Sequence, residues 1–446
     1  MKLKFWVLMA TLWVSQPIFA FTAEQKAQQA IDPVLARYRA FFAQEVQRRH
    51  IPGTAVAIVY QGQVVWMEGF GVRNLKTRAP VNLDTVFQLG SVSKPFAGTL
   101  AALLAQEGVL HFDDPVARYL PGFHLERAPQ ASDLRLRHIL SHSSGIPRAG
   151  FNHMIESYVP YKDIKSKMQS TKALCAPGRC FDYHNAMFSL IKDVVQETTS
   201  QSFEQALKTR LLQPLHMDNT SASLEGLLNT YNYAQPHVRT KNGMAALASH
   251  SQGYYAVAPA GGVNSSIRDM AKFLQLQLGG YPSLLQPKYL AQLHSPYVVA
   301  HDGNQRYRHF RDRIHGSYYG MGFRIMHFAN HKVVYHGGML KGFMNFMAVM
   351  PDKKVGIVIL QNADTGFAWQ TALRFFDMFL HLPEKNWSGA PSPTNSTVVK
   401  RQYRKKSNLT VVKKKLPLAK RAPTPVTVVN KNKIALKGPP LPTSHR

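Results

Sequence analysis

Gly90-Ser91-Val92-Ser93-Lys94-Pro95-Phe96 opens a run with helical spacing that continues to Glu107. A weak strand signal precedes it, so Ser91 is expected at a helix N-terminus, where unpaired backbone N–H groups and the positive end of the helix dipole gather. Lys94 follows three residues on. Its amine falls on the same helix face as the Ser91 hydroxyl and can take or relay the hydroxyl proton. Pro95 fits, because the first helical turn has no intrahelical N–H partner to lose. Taken alone the pattern is weak: roughly one or two Ser-x-x-Lys matches arise by chance in a chain this long. Ser189-Leu190-Ile191-Lys192 is one, in the middle of a helical pattern. A serine in the place of Ser91 is also an ordinary helix cap. Only companions elsewhere in the chain can promote it.

The 446 residues, 45% of them apolar, suffice for one large or two ordinary cores. Met1 to Ala20 reads as a secretory signal: Lys2 and Lys4, an apolar run from Phe5 to Val14, and a cleavage region ending at Ala20. That run is short for a membrane span, and no later segment is long enough. The expectation is a periplasmic or secreted protein beginning near Phe21, with no transmembrane segment after cleavage. Cys175 and Cys180, set across Ala176-Pro177-Gly178-Arg179, suit an oxidising compartment and are expected to form a disulfide. A metal site is not expected, since no second cysteine pair exists to complete one.

The formal charge of +29 is uneven. From Asn386 to Arg446 there are fourteen Lys and Arg and no Asp or Glu, about half of the net charge. The stretch is Pro-rich and without periodicity, and reads as a basic disordered tail. Unbalanced lysine of this kind binds polyanions by counterion release. For an exported protein an anionic envelope polymer or lipid is the expected partner, and nucleic acid a poor candidate.

Between signal and tail, residues 21–385 read as one domain. Glu24 to Arg49 has helical spacing. Thr54 to Tyr60 and Val64 to Phe70 flank Gln61-Gly62-Gln63 as a hairpin. Helices follow through the middle, two of them opened by the capping boxes Ser202/Gln205 and Ser266/Asp269, with Ser265 also read as a cap. Strands return at Lys332 to Tyr335, Asn345 to Met350 and Val355 to Leu360. This order predicts an α/β (α+β) fold: an antiparallel sheet shared by both ends of the domain, flanked by helices, with a mainly helical subdomain inserted. His138 and His142 have a spacing that suits a metal, yet no third ligand follows them, and they read as structural.

The companions of Ser91 are Tyr183-His184-Asn185 and His336-Gly337-Gly338. With Ser91-x-x-Lys94, in that order, they resemble the three active-site motifs of the class C β-lactamase and DD-peptidase family of penicillin-binding enzymes. Supporting matches run from Gly53 to Asn362. They include Phe87-Gln88-Leu89-Gly90, His142-Ser143-Ser144-Gly145, Pro177-Gly178, Pro214-Leu215-His216-Met217 and Ala260-Gly261-Gly262 with Asp269. The resemblance implies a β-lactamase/transpeptidase-like fold and a serine nucleophile, Ser91, with Lys94 and Tyr183 sharing the role of base. It implies that Asn185 holds the substrate's acyl side chain, that His336, Gly337 and Gly338 line the substrate site, and that the backbone N–H groups of Ser91 and Met339 form the oxyanion hole. An acyl-enzyme would then be hydrolysed with no metal or organic cofactor.

The third motif departs from the β-lactamase form, which is typically Lys-Thr-Gly followed by a hydroxyl residue. His336 is only partly charged near neutral pH, and neither hydroxyl is present. The His-x-Gly form is similar to the DD-peptidase, D-aminopeptidase and esterase branches. An Arg or Lys elsewhere could restore an anion site, and the sequence names none. Two classes of function follow. One is a serine hydrolase acting on D-amino-acid peptides, including peptidoglycan stems, with β-lactamase and esterase as variants. The other is a non-catalytic envelope-binding protein.

Overall fold

The computed structural model describes residues 22–125, 133–147 and 151–388. The expected signal and the tail from residue 389 onward lie outside the described residues. Helix α1 (Ala23–Arg48) begins with a capping box in which Thr22 accepts from the Gln25 N–H and Gln25 reaches back to Thr22. Its buried stripe is Ile31, Leu35, Tyr38 and Phe42. The hairpin follows as β1 (Gly53–Tyr60) and β2 (Gln63–Gly71). Gln61 and Gly62 between them both have positive φ (52° and 83°), the backbone that a two-residue turn needs to match the strand twist.

The remaining strands are β3 (Val86–Gln88), β4 (His237–Thr240), β5 (Gly243–Ala246), β6 (Asn264–Ser266), β7 (Val298–Val299), β8 (Ile314–Tyr319), β9 (Arg324–Phe328), β10 (His331–Leu340), β11 (Phe343–Met350) and β12 (Val355–Gln361). Eight of them form one antiparallel sheet in the order β2-β1-β12-β11-β10-β9-β8-β7. The first hairpin and the last strand meet in it, from Thr54 opposite Gln361 to Tyr60 opposite Val355. The two ends of the domain therefore share the sheet, and most of the helical middle is inserted between them.

Both faces of the central strands are covered, which is why they read as unbroken apolar runs. Alternate residues divide between two cores. Ala55, Ala57, Val358 and Leu360 face the helical block, while Val56, Ile58, Ile357 and Ile359 face α1 and the helix Phe367–Phe379. Each fully buried large side chain contributes roughly 1.5–3 kcal/mol.

Three expectations need correction. The strand expected at Lys332 to Tyr335 runs on through His336-Gly337-Gly338 to Leu340; its glycines look like breaks until the close backbone neighbour described below is known. Ser266 caps its helix as expected, but Ser265 lies in β6 opposite Phe87, with its hydroxyl 2.8 Å from that of Thr220. The domain does not end at residue 385. Trp387 is 4% exposed, packs on Phe310 and Phe328, and donates its indole N–H to Asp377 at 2.7 Å.

Cys175 and Cys180 are bonded. Their loop lies along residues 142–145: the N–H groups of Leu174, Gly178 and Asp182 donate to the carbonyls of Gly145, Ser143 and His142. So short a closed loop contributes about 2 kcal/mol on the chain-entropy account. Replacing both cysteines by serine is expected to lower the melting temperature by a few degrees in a thermal scan; an unchanged value would mean that the docked backbone alone holds the loop.

Candidate active site

Leu89 ends the approach from β3, and the chain then turns sharply. Gly90 has a φ of 57°, Gly90–Val92 forms one 3-10 turn, and helix α2 (Ser93–Gln106) follows. Ser91 thus precedes the α-helix by two residues instead of opening it. No side chain caps either the turn or α2, so the Ser91 hydroxyl is not spent on a cap. The Ser93 hydroxyl locks the turn by donating to the Gly90 carbonyl (2.7 Å) and accepting from the Val263 N–H (2.9 Å).

Lys94 sits in the first turn of α2 and is fully buried. Its Nζ is 2.8 Å from Asn185 Oδ1, 2.7 Å from the Ala260 carbonyl and 3.4 Å from Ser91 Oγ. Burial, and then the nearby charge of Arg324, hold this amine well below the usual lysine range. A neutral amine has two N–H bonds and one lone pair. The two carbonyl oxygens can accept only the N–H bonds, which leaves the lone pair for the hydroxyl.

Tyr183 follows the disulfide loop. Its ring lies 4.5 Å from Lys94 Nζ, 5.4 Å from the Arg324 guanidinium carbon and 4.2 Å from the His142 ring centre. Asn185 opens the short helix Asn185–Phe188. It accepts from Lys94 and donates to Asn152 Oδ1 at 3.1 Å, so besides lining the cleft it orients the lysine.

The third motif arrives on β10. Strand β10 pairs with β11 as far as Leu340, but with β9 only as far as Tyr335. His336 to Leu340 therefore has no β9 partner along that edge. A Cβ on Gly338 would stand 1.9 Å from the Leu89 carbonyl oxygen, and one on Gly90 3.0 Å from the Met339 nitrogen. Only glycine allows β10 so close to the Ser91 turn. The Asn345 side chain ties the same region together, donating to the Gln88 carbonyl and accepting from the Gln361 N–H.

His336 Nδ1 lies 2.7 Å from the Gly337 carbonyl, an acceptor only, and Nε2 lies 2.8 Å from the Tyr319 hydroxyl. Burial keeps Tyr319 protonated by raising it well above the usual phenol range. Nδ1 faces an acceptor and so carries a proton, while Nε2 faces a hydroxyl that can donate to it or accept from it. Both ring nitrogens are thus engaged within the protein.

Ser91, Asn152, Tyr183, Asn185, Arg324 and His336 through Met339 line one cleft of about 530 Å³. All the residues singled out from the three motifs therefore come together, Lys94 beneath the others. Arg324, Asp302 and His142 were not singled out for the site. Arg324 is 6% exposed on β9 and makes two bonds to Asp302, at 3.0 and 2.8 Å. His142 follows the helix Leu136–Leu140 in a left-handed conformation, so His138 and His142 do not share a helix face. Burial, with Lys94 and Arg324 nearby, holds His142 well below the usual imidazole range, and its Nδ1 accepts from the His184 N–H.

The family described as "Beta-lactamase" matches residues 38–374. "Protein flp" of Staphylococcus aureus is 24% identical over 76% of this chain, which spans 64% of that relative's length. "Beta-lactamase" of Escherichia coli is 27% identical, covering 73% of this chain and 89% of its own. Among solved structures, the octameric penicillin-binding protein homologue from Pyrococcus abyssi aligns with a TM-score of 0.70 at 24% identity, over 82% of this chain and 81% of its own. The family match over most of the sequence, joined to this sheet and its inserted helices, makes the chain a member of the serine β-lactamase and penicillin-binding family, with the fold of its serine hydrolases.

Proposed function

We propose that the protein is a serine hydrolase acting through an acyl-enzyme on the amide bonds of D-amino-acid peptides, peptidoglycan stem peptides among them. One observation carries the reading: Lys94 is buried, with its Nζ within hydrogen-bond reach of two carbonyl oxygens and 3.4 Å from the Ser91 hydroxyl, so that a neutral amine there turns its lone pair to the hydroxyl. In this reading Ser91 attacks the substrate carbonyl as its proton passes to Lys94, with Tyr183 sharing the role of base. The N–H groups of Ser91 and Met339 receive the developing oxyanion. The proton returns to the leaving amine, and water activated at Tyr183 then releases the acyl group. The open edge of β10 from His336 to Leu340 offers an extended peptide a strand to pair with. A non-catalytic role gives no account of a lysine held neutral at this cost in burial.

Substrate choice follows from the third motif. A histidine in place of a lysine at position 336, and the absence of its neighbouring hydroxyls, favour amide or ester substrates over β-lactams. Purified protein tested on a D-alanyl anilide, a chromogenic cephalosporin and a short-chain ester is expected to turn over the first fastest. Ser91→Ala is expected to lose at least about a thousandfold in rate. Rapid cephalosporin turnover would overturn the substrate preference, and an active Ser91→Ala would remove Ser91 from the reaction.

The same geometry fixes a pH dependence. The reactive lysine is the neutral form, and its pKa is lowered, so kcat/KM should rise with pH along an acidic limb well below the ordinary lysine range. A free lysine would place that limb near pH 10.4. A limb at pH 10 in the rate profile would contradict the neutral-amine reading.

We propose further that Met1–Ala20 exports the protein to the periplasm or beyond, and that the basic tail holds it to anionic envelope polymer or lipid. The full chain should bind vesicles containing anionic lipid, losing affinity as salt rises, whereas a chain ending at Ser388 should not. Equal binding by the two would place the contact elsewhere.

A further inference from the structure

Basic side chains from two different elements lie against Tyr183. Lys94 Nζ is 4.5 Å from its ring centre on the α2 side, and the Arg324 guanidinium carbon is 5.4 Å away on the β9 side. Arg324 is buried, and its guanidinium also lies 5.6 Å from the Tyr319 ring and 5.8 Å from that of Phe181. Asp302, on the short helix His301–Arg306, binds it through both carboxylate oxygens and is itself buried. Both residues line the cleft that contains Ser91. Among the described residues, the rings of His142, Tyr319 and His336 also lie against Tyr183, and Glu156 stands one side chain farther off, accepting from the Tyr254 hydroxyl. His142 stays neutral, Tyr319 and Tyr254 stay protonated, and His336 is bonded to the Tyr319 hydroxyl and the Gly337 carbonyl.

We infer that Arg324 supplies, from β9, the fixed positive charge that His336-Gly337-Gly338 lacks, acting as a positioning residue through Tyr183 and Lys94, with Asp302 setting its strength. The inference rests on the reading of Lys94 and Tyr183 as proton acceptors. The sign is the same for either acceptor. A nearby cation favours the phenolate over the phenol and the neutral amine over the ammonium, so the base form persists to lower pH. Asp302 works in the opposite sense, because its carboxylate partly cancels the guanidinium charge. A structural ion pair alone would predict loss of fold or rate when broken, with no directed movement of the pH profile.

The test uses the full chain and a fluorophosphonate probe, whose rate of reaction with Ser91 requires no knowledge of the natural substrate. That rate is measured against pH for the unaltered protein and three variants. Arg324→Gln is expected to move the acidic limb upward by about one pH unit. Arg324→Lys should bring it most of the way back, and Asp302→Asn should move it downward. Variants slowed equally at every pH, or limbs that move in the same direction for Arg324→Gln and Asp302→Asn, would overturn the inference. Should Arg324→Gln fail to fold, an unmoved limb in Asp302→Asn would be enough to reject it. A Ser91→Ala protein that still hydrolyses substrate would instead bring down the underlying reading of the site.

Discussion

The site depends on how closely the backbone of β10 lies against the turn that carries Ser91. With Gly338 beneath the Leu89 carbonyl and Gly90 in a left-handed conformation, Met339 comes beside Gly90, the residue preceding Ser91. Any side chain at position 338 would collide with backbone, which cannot move aside as a flexible side chain can. Asn345 reinforces the approach with two buried hydrogen bonds, one to the strand before Ser91 and one to β12. The large sheet and the turn carrying Ser91 are thereby fixed to one another, and the cleft lies beside β10 where its pairing with β9 ends.

Electrostatics takes over where packing ends. A fully buried ammonium without a carboxylate partner would cost several kcal/mol, and the side-chain hydrogen bonds of Lys94 are to neutral oxygens. The fold accommodates the residue by holding it as an amine. That state is useful because a hydroxyl is 3.4 Å away. Arg324 cannot take the same route, since guanidinium does not lose its proton in proteins. Burial works against its charge, and the paired hydrogen bonds to Asp302 outweigh this and hold it above its ordinary range. Two buried basic side chains at one cleft therefore have opposite fates, set by their chemistry and their partners.

Much of the architecture was legible. The helical spacing of α1, the capping serines Ser202 and Ser266, the Gln61-Gly62 turn and the strand patterns of β1 and β12 are local signals, and the structure repeats them. The two-ended sheet followed from where strand patterns begin and end. What could not be read has a common physical cause in long-range contact. His336 to Leu340 looks like the end of a strand because the Leu89 backbone that makes its glycines necessary lies far off in sequence. Strands β8 and β9 carry histidine, tyrosine and arginine whose partners belong to other elements. Arg324 follows an ordinary apolar residue, and nothing nearby in sequence shows that Asp302 will pair with it or that Tyr183 will lie beside it. His142 was visible as a histidine in a loop, but not as the ring against which Tyr183 packs. Trp387 resembled the start of the tail because its partners, Phe310, Phe328 and Asp377, come from three separate segments.

The account's central claim is that a single hydroxyl, made reactive by a buried neutral amine, forms the covalent intermediate. Locating the adduct tests this most directly: the full chain is reacted with a fluorophosphonate, digested and read by peptide mass spectrometry. The account predicts one adduct, on the peptide containing Ser91, lost when Lys94 is replaced by methionine. An adduct on another serine, such as Ser189, or undiminished labelling without Lys94, would contradict it.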